Sequence, residues 1–322
     1  MADQADNDGD GDIFVYRGGR APQHITHVLI DRSLDEIEED AFLHCRQLLT
    51  VDTHDGLRKI GKGAFFRCYS LRRINLKSVV EIEGGAFYSC VNLVDVEFGD
   101  RLETIGECAF YACSLRHLKL PSIVTIGSCA FMVCKYLTDI ELSERLKTIG
   151  RSAFTGCKRL QRIAIPLERD LFVLDDYWQR YNQFVFCEEL STVDIVGGIH
   201  ETLVSFHMES WRTEMLPEIN RINQVLPDTG EREKTDAIRQ WMGRVMDKMD
   251  HYKAEHYRYV KEGITLLELA LWKAKLGEKE DCYAAEGKPK EAVDAEVSRG
   301  ERRITCGADI VVKNVLPFLQ LE

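Results

Sequence analysis

The sequence predicts an α/β chain, a solenoid whose coils build a parallel β-sheet horseshoe, followed by an α-helical C-terminal region. Three observations carry this. A phrase Ala-Phe-x-x-Cys returns every 21 to 23 residues, anchored at Phe42, Phe65, Phe87, Phe110, Phe131 and Phe154, with a degenerate copy at Phe184. A run of the form Leu-x-x-Ile-x-Leu follows each copy, as at Leu71–Leu76, Leu137–Leu142 and Leu160–Ile165. Beyond Gly197-Gly198 the apolar period changes to about 3.6, the repeat of a helix.

Each repeat has the same parts. The six-residue run alternates near its end and reads as a strand with one buried face. Degenerate versions at Ile25–Ile30 and Leu48–Thr53 extend the series toward the N-terminus. Eight such strands about 4.8 Å apart would form a sheet roughly 35 Å long. A return segment follows, carrying Ile37, Ile60, Ile82, Ile105, Ile126 or Ile149 and a glycine (Gly61, Gly106, Gly127, Gly150) expected to supply a turn conformation. Ala-Phe-x-x-Cys then closes the coil, expected as one helical turn. Its cysteines, Cys45, Cys68, Cys90, Cys113, Cys134, Cys157 and Cys187, are seven of eleven and read as small buried thiols in a reducing compartment.

Over residues 25–196 these motifs resemble the BspA type of leucine-rich repeat. The segments Asp250–His256, Leu266–Leu276 and Lys313–Leu319 resemble the C-terminal half of leucine-rich-repeat proteins of diatoms. The resemblance implies a leucine-rich-repeat horseshoe followed by helices and implies no activity. BspA repeats are known from microbial surface adhesins, so a structural or adhesive surface protein is one alternative.

The expected organisation is an acidic tail over 1–12, the solenoid with its cap over 13–200 and long helices over 201–276. A linker over 277–303 and a closing helix over 304–322, packed on the helical region, complete it. The first helix is expected over 201–226 with a break at Pro217, the second from Thr235 to a stop at Gly277. Ile238, Val245, Tyr252, Tyr259 and Leu266 fall at one heptad position, and Val260 and Leu267 widen the stripe to suit a bundle. Self-association through this long helix would make the chain a homodimer.

Net charge is −11, which disfavours nucleic acid and anionic membranes as partners. No apolar run reaches the roughly 18 residues of a membrane span. The acidic start lacks the pattern of a secretory signal, and none of the seven asparagines opens an Asn-x-Ser/Thr site. An intracellular, cytoplasmic protein is the expectation.

Apparent chemical motifs fail on inspection. Gly56–Gly63 follows the phosphate-loop spacing, but Gly63 stands where a Ser or Thr would hold magnesium. Asp6–Gly11 resembles the start of a calcium loop whose twelfth position is Arg17, not Glu. Cys108, Cys113, Cys129 and Cys134 have loose zinc spacing, yet the repeat places Cys108 and Cys129 toward solvent and the other two in the core. His251 and His256 are five apart and face different directions on a helix. No catalytic residue, cofactor or metal site is expected. A second alternative is an enzyme with an unrecognised site near Trp178 and His256.

The x positions of the strands point onto the open concave face, and their charge alternates by rung. Arg73 is followed by Asp95 and Glu97, then His117 and Lys119, then Asp139 and Glu141, then Arg162. Such a ladder either neutralises itself or forms a mixed-charge groove for a protein partner. Trp178, in an aromatic interruption of the period at residues 167–189, is the candidate anchor of the cap. The resulting functional expectation is a non-enzymatic protein–protein interaction scaffold.

Overall fold

The computed structural model describes residues 13–173, 182–197 and 209–286. Trp178, the tail at 1–12 and the segments 287–303 and 304–322 lie outside the described residues. The chain divides into two compact units, Met1–Ile199 with Leu216–Met246, and His200–Met215 with Asp247–Glu322.

The first unit is a parallel β-solenoid of about six turns. Its strands, in chain order, are β1 (Ile13–Tyr16), β2 (His27–Ile30), β3 (Glu36–Ile37), β4 (Thr50–Asp52), β5 (Lys59–Ile60), β6 (Arg73–Leu76), β7 (Glu81–Ile82), β8 (Asp95–Phe98), β9 (Thr104–Ile105), β10 (His117–Leu120), β11 (Thr125–Ile126), β12 (Asp139–Leu142), β13 (Thr148–Ile149), β14 (Arg162–Pro166) and β15 (Thr192–Val196). The Leu-x-x-Ile-x-Leu strands line one side, ordered β1-β2-β4-β6-β8 and then β10-β12-β14-β15. The short return strands form a second sheet, β13-β11-β9-β7-β5-β3, without a break. β1 adds a rung that the repeat count does not include.

The first side is split between β8 and β10 because one repeat is a residue short. Cys113-Ser114-Leu115 stands where other coils have four residues, as in Cys90–Leu93. With one residue missing from the lead-in, β10 does not enter the β8 ladder. β8 is also the strand whose inward side chains, Val96 and Phe98, are only half-buried.

Inside, the anchor phenylalanines form one file. Rings of Phe42, Phe65, Phe87, Phe110, Phe131, Phe154 and Phe184 stack at centroid spacings from 4.9 to 5.7 Å with planes within 8° of parallel. Each ring is fully buried. Tyr16 closes the N-terminal end, tilted on Phe42 at 4.8 Å, and its hydroxyl donates to the Gly19 carbonyl. Phe172 meets Phe184 edge-on at the other end, so part of the 167–189 interruption does cover the file.

The closing segment is not a helical turn. Residues two before the anchor (Asp40, Gly63, Gly85, Cys108, Cys129, Ser152) and two after it (His44, Arg67, Ser89, Ala112, Val133, Gly156) have φ from +53° to +76°. Left-handed residues at this spacing prevent i→i−4 bonding and turn alternate N–H groups along the stack. Phe65 N–H donates to Ala86 O at 2.7 Å, and Arg67 N–H to Tyr88 O at 2.8 Å, making a third ladder between coils.

The return glycines serve a different need from the one expected. Gly61, Gly106, Gly127 and Gly150 do not have positive φ. A Cβ on Gly150 would lie 2.3 Å from Ser128 N, and one on Gly106 2.5 Å from Gly84 N. Close approach of the preceding coil is what excludes a side chain.

Within the first unit, the helical stretch Leu216–Met246 closes the C-terminal end of the stack. α1 spans Glu209–Val225, continuous through Pro217, and a short 3-10 turn, Leu226–Asp228, leads to α2 at Lys234–Glu286. Gly277 does not stop α2, since one glycine costs a helix only about 1 kcal/mol and good helix formers follow. Within the first unit, three side chains satisfy the last coil. Lys234 Nζ donates to the carbonyls of Cys187, Glu188 and Leu190 at 2.9, 3.0 and 2.7 Å. Thr235 Oγ1 accepts from Phe184 N–H at 3.1 Å, and Asn223 Oδ1 from Val193 N–H at 2.8 Å. In the second unit Trp211 stacks on Tyr252 at 5.1 Å, while the Tyr252 hydroxyl donates to the Glu214 carboxylate.

Candidate functional site

The strands set the x residues in two rows along the open face. One row runs Ile13, His27, Thr50, Arg73 and Asp95. Beyond the split the equivalent row is His117, Asp139, Arg162 and Thr192, with Lys119, Glu141, Ala164 and Asp194 beside it. The alternation of sign is therefore real as a cross-strand register, except between β8 and β10, where no ladder joins the two halves.

The halves use their charges differently. In the C-terminal half the groups are spent on one another. Arg162 Nε donates to Asp194 at 2.6 Å and its Nη1 to Asp139 at 3.2 Å. Those carboxylates, Asp194 foremost, hold the Arg162 pKa above its ordinary value. Lys119 pairs with Glu141 at 3.1 Å, and Thr138 Oγ1 lies 3.3 Å from His117 Nδ1. The hollow here, about 620 Å³, has Arg162 and Asp139 in its wall already engaged.

In the N-terminal half a smaller hollow of about 240 Å³ is lined by Thr50, Asp52, Arg73, Asn75, Asp95 and Glu97 among others. Glu97 pairs with Lys77 at 2.6 Å. Arg73 and Asp95 stand opposite one another in register, both exposed, and form no ion pair among the described residues. Ile13, Val15 and Leu29 continue this face as exposed apolar residues on β1 and β2. The repeat reading did not include them; the alternation of Ile13-Phe14-Val15-Tyr16 is the signal that could have found them.

The cysteines divide into two kinds. Each repeat thiol donates to a carbonyl of the coil before it, as Cys90 Sγ to Phe65 O at 3.1 Å and Cys157 Sγ to Phe131 O at 3.2 Å. Burial pushes the Cys134 and Cys187 thiols up to about 12. Cys108 and Cys129, expected to face solvent, are instead half-buried and adjacent, each raised first of all by burial. Among the described residues no cluster of three or more His, Cys, Asp or Glu could hold a metal. His256 is buried and lies 6.4 Å from the Trp211 ring.

A profile described as BspA type leucine rich repeat region matches in six copies over residues 22–124 and 109–203, more than half of the chain. The chain belongs to the BspA-type leucine-rich-repeat family. Among solved structures, it is 26% identical to a leucine-rich-repeat protein of T. pallidum, over 61% of this chain and 88% of that one, with a TM-score of 0.46. It is 19% identical to a leucine-rich-repeat protein of Bacteroides ovatus, over 53% and 55% of the two chains, TM-score 0.36. The pneumococcal vaccine antigen PcpA is 20% identical over 58% and 66%, TM-score 0.33. No functionally curated protein matches the chain.

Proposed function

We propose that this chain is a non-enzymatic scaffold that holds a protein partner on the N-terminal half of its concave face. The unpaired Arg73–Asp95 juxtaposition carries this reading. Charges already locked in a ladder, as around Arg162, would have to surrender their partners on binding, whereas Arg73 and Asp95 can engage a mixed-charge partner directly. The exposed Ile13, Val15 and Leu29 at the same end supply the apolar contact that such a polar site needs for affinity. The repeat thiols, buried and unpaired by disulfides, fit a reducing compartment and hence an intracellular setting.

The test is affinity capture from the native cell with the wild-type chain, R73E/D95K and R162E. Partner recovery is expected to fall about tenfold or more for R73E/D95K and to change little for R162E. Equal recovery with wild type and R73E/D95K would remove this half of the groove from consideration.

A further inference from the structure

The distal part of α2 exposes an apolar surface that wraps around the helix. Leu266, Leu267, Leu269 and Leu271 are each more than half exposed, with Tyr257 and Tyr259 nearly so. The same helix buries Tyr252 and His256 about three to four turns before those leucines, where Trp211 packs. At about 100° per residue the four leucines cover an arc of roughly 200°, about twice the stripe that one covering helix needs. A helix apolar over so much of its circumference belongs inside a bundle.

Charge placement indicates what covers the Leu266 and Leu269 side of that arc. Glu262 and Lys273 flank Leu266 and Leu269 on one side of α2, eleven residues apart; Glu262 has only a long, exposed contact to Arg258 at 3.9 Å, and Lys273 makes no ion pair among the described residues. An antiparallel copy of α2, related by a two-fold axis on the Leu266 and Leu269 side and midway between those two along the helix, sets Glu262 of one chain beside the partner's Lys273. The axis generates that pair twice and brings Leu266 against the partner's Leu269, as a self-complementary surface requires. We propose that the chain is a homodimer, formed by antiparallel packing of this part of α2 on a second copy. The inference rests on α2 alone and stands apart from the concave-face reading.

Sedimentation equilibrium on the full chain tests it. Wild type is expected at twice the 36.9 kDa chain mass. L266E/L269E is expected to be monomeric with its helix content intact, since both positions are exposed within the chain. E262K is expected to weaken the dimer about tenfold, and E262K/K273E to restore it. A wild-type chain that remains monomeric at tens of micromolar overturns the proposal, including one that instead floats with lipid vesicles. A dimer indifferent to L266E/L269E also overturns it, because its interface lies elsewhere. If L266E/L269E loses helix, the charge swap decides alone, and failure of E262K/K273E to rescue counts against the two-fold.

Discussion

Cys113 Sγ donates to the carbonyl of Phe87, one coil earlier, at 3.2 Å. That carbonyl already accepts from the Cys90 N–H of its own turn at 3.1 Å, so the thiol takes its second lone pair. Because Cys113 is buried, alanine at this position loses a hydrogen bond and leaves a small void. C113A should cost about 1–2 kcal/mol in urea unfolding. Burial holds this thiol well above the ordinary thiol range. It should therefore resist alkylation at neutral pH until the coil opens, which peptide mapping after iodoacetamide treatment would show.

Lys234 holds three groups of the last coil at once. Its ammonium is buried and donates to three carbonyls of the last coil. Methionine keeps the stem and removes the donor, leaving those carbonyls without it. K234M should lose about 3 kcal/mol or more of stability by chemical denaturation. An unchanged midpoint would show that water replaces the ammonium freely.

Gly150 sits where the preceding coil passes close by. A Cβ there meets Ser128 N at 2.3 Å and Gly127 C at 2.5 Å, all backbone atoms that cannot rotate away. G150A should lower the melting temperature, corresponding to about 1–3 kcal/mol. Gly243 of α2, with nothing near it, should tolerate alanine or gain slightly in the same assay.

Asp31 gives the N-terminal coils an acid sensitivity. The Ser33 N–H, its hydroxyl and Arg17 all donate to this carboxylate and hold its pKa at about 2 instead of 3.8. A folded-state value below the unfolded one means the stabilisation is complete above about 3.8 and is lost as pH falls through about 2. The melting temperature of D31N should fall less steeply over that window than that of wild type.

Much of the stack is legible in the sequence because each coil repeats the same burial. The Phe file and the strand alternation follow directly from spacing, as Phe87, Phe110 and Phe131 show. Left-handed residues at Asp40, Cys108 and Ser152 are not legible in this way, since the coil-to-coil ladder imposes a conformation these residues do not advertise. The capping side chains Asn223, Lys234 and Thr235 lie 30 to 51 residues from the groups they satisfy, so no local pattern marks them. At the concave face, sequence located Arg73, Asp95 and Arg162 but not which of them is already engaged. That depends on side-chain reach: Arg162 spans two neighbouring strands, while Arg73 leaves Asp95 unmet.

One residue fewer between Cys113 and Leu115 leaves the concave lining without main-chain cross-links between Phe98 and His117, while the return sheet passes through the same coils whole. The molecule thus has a spine on one side and a seam on the other. Across the seam the coils are tied instead by the return sheet, by Phe87 N–H on Ala109 O at 2.7 Å and by Ser114 N–H on Leu93 O at 3.1 Å, so the load carried elsewhere by the lining passes to the far side and the turns.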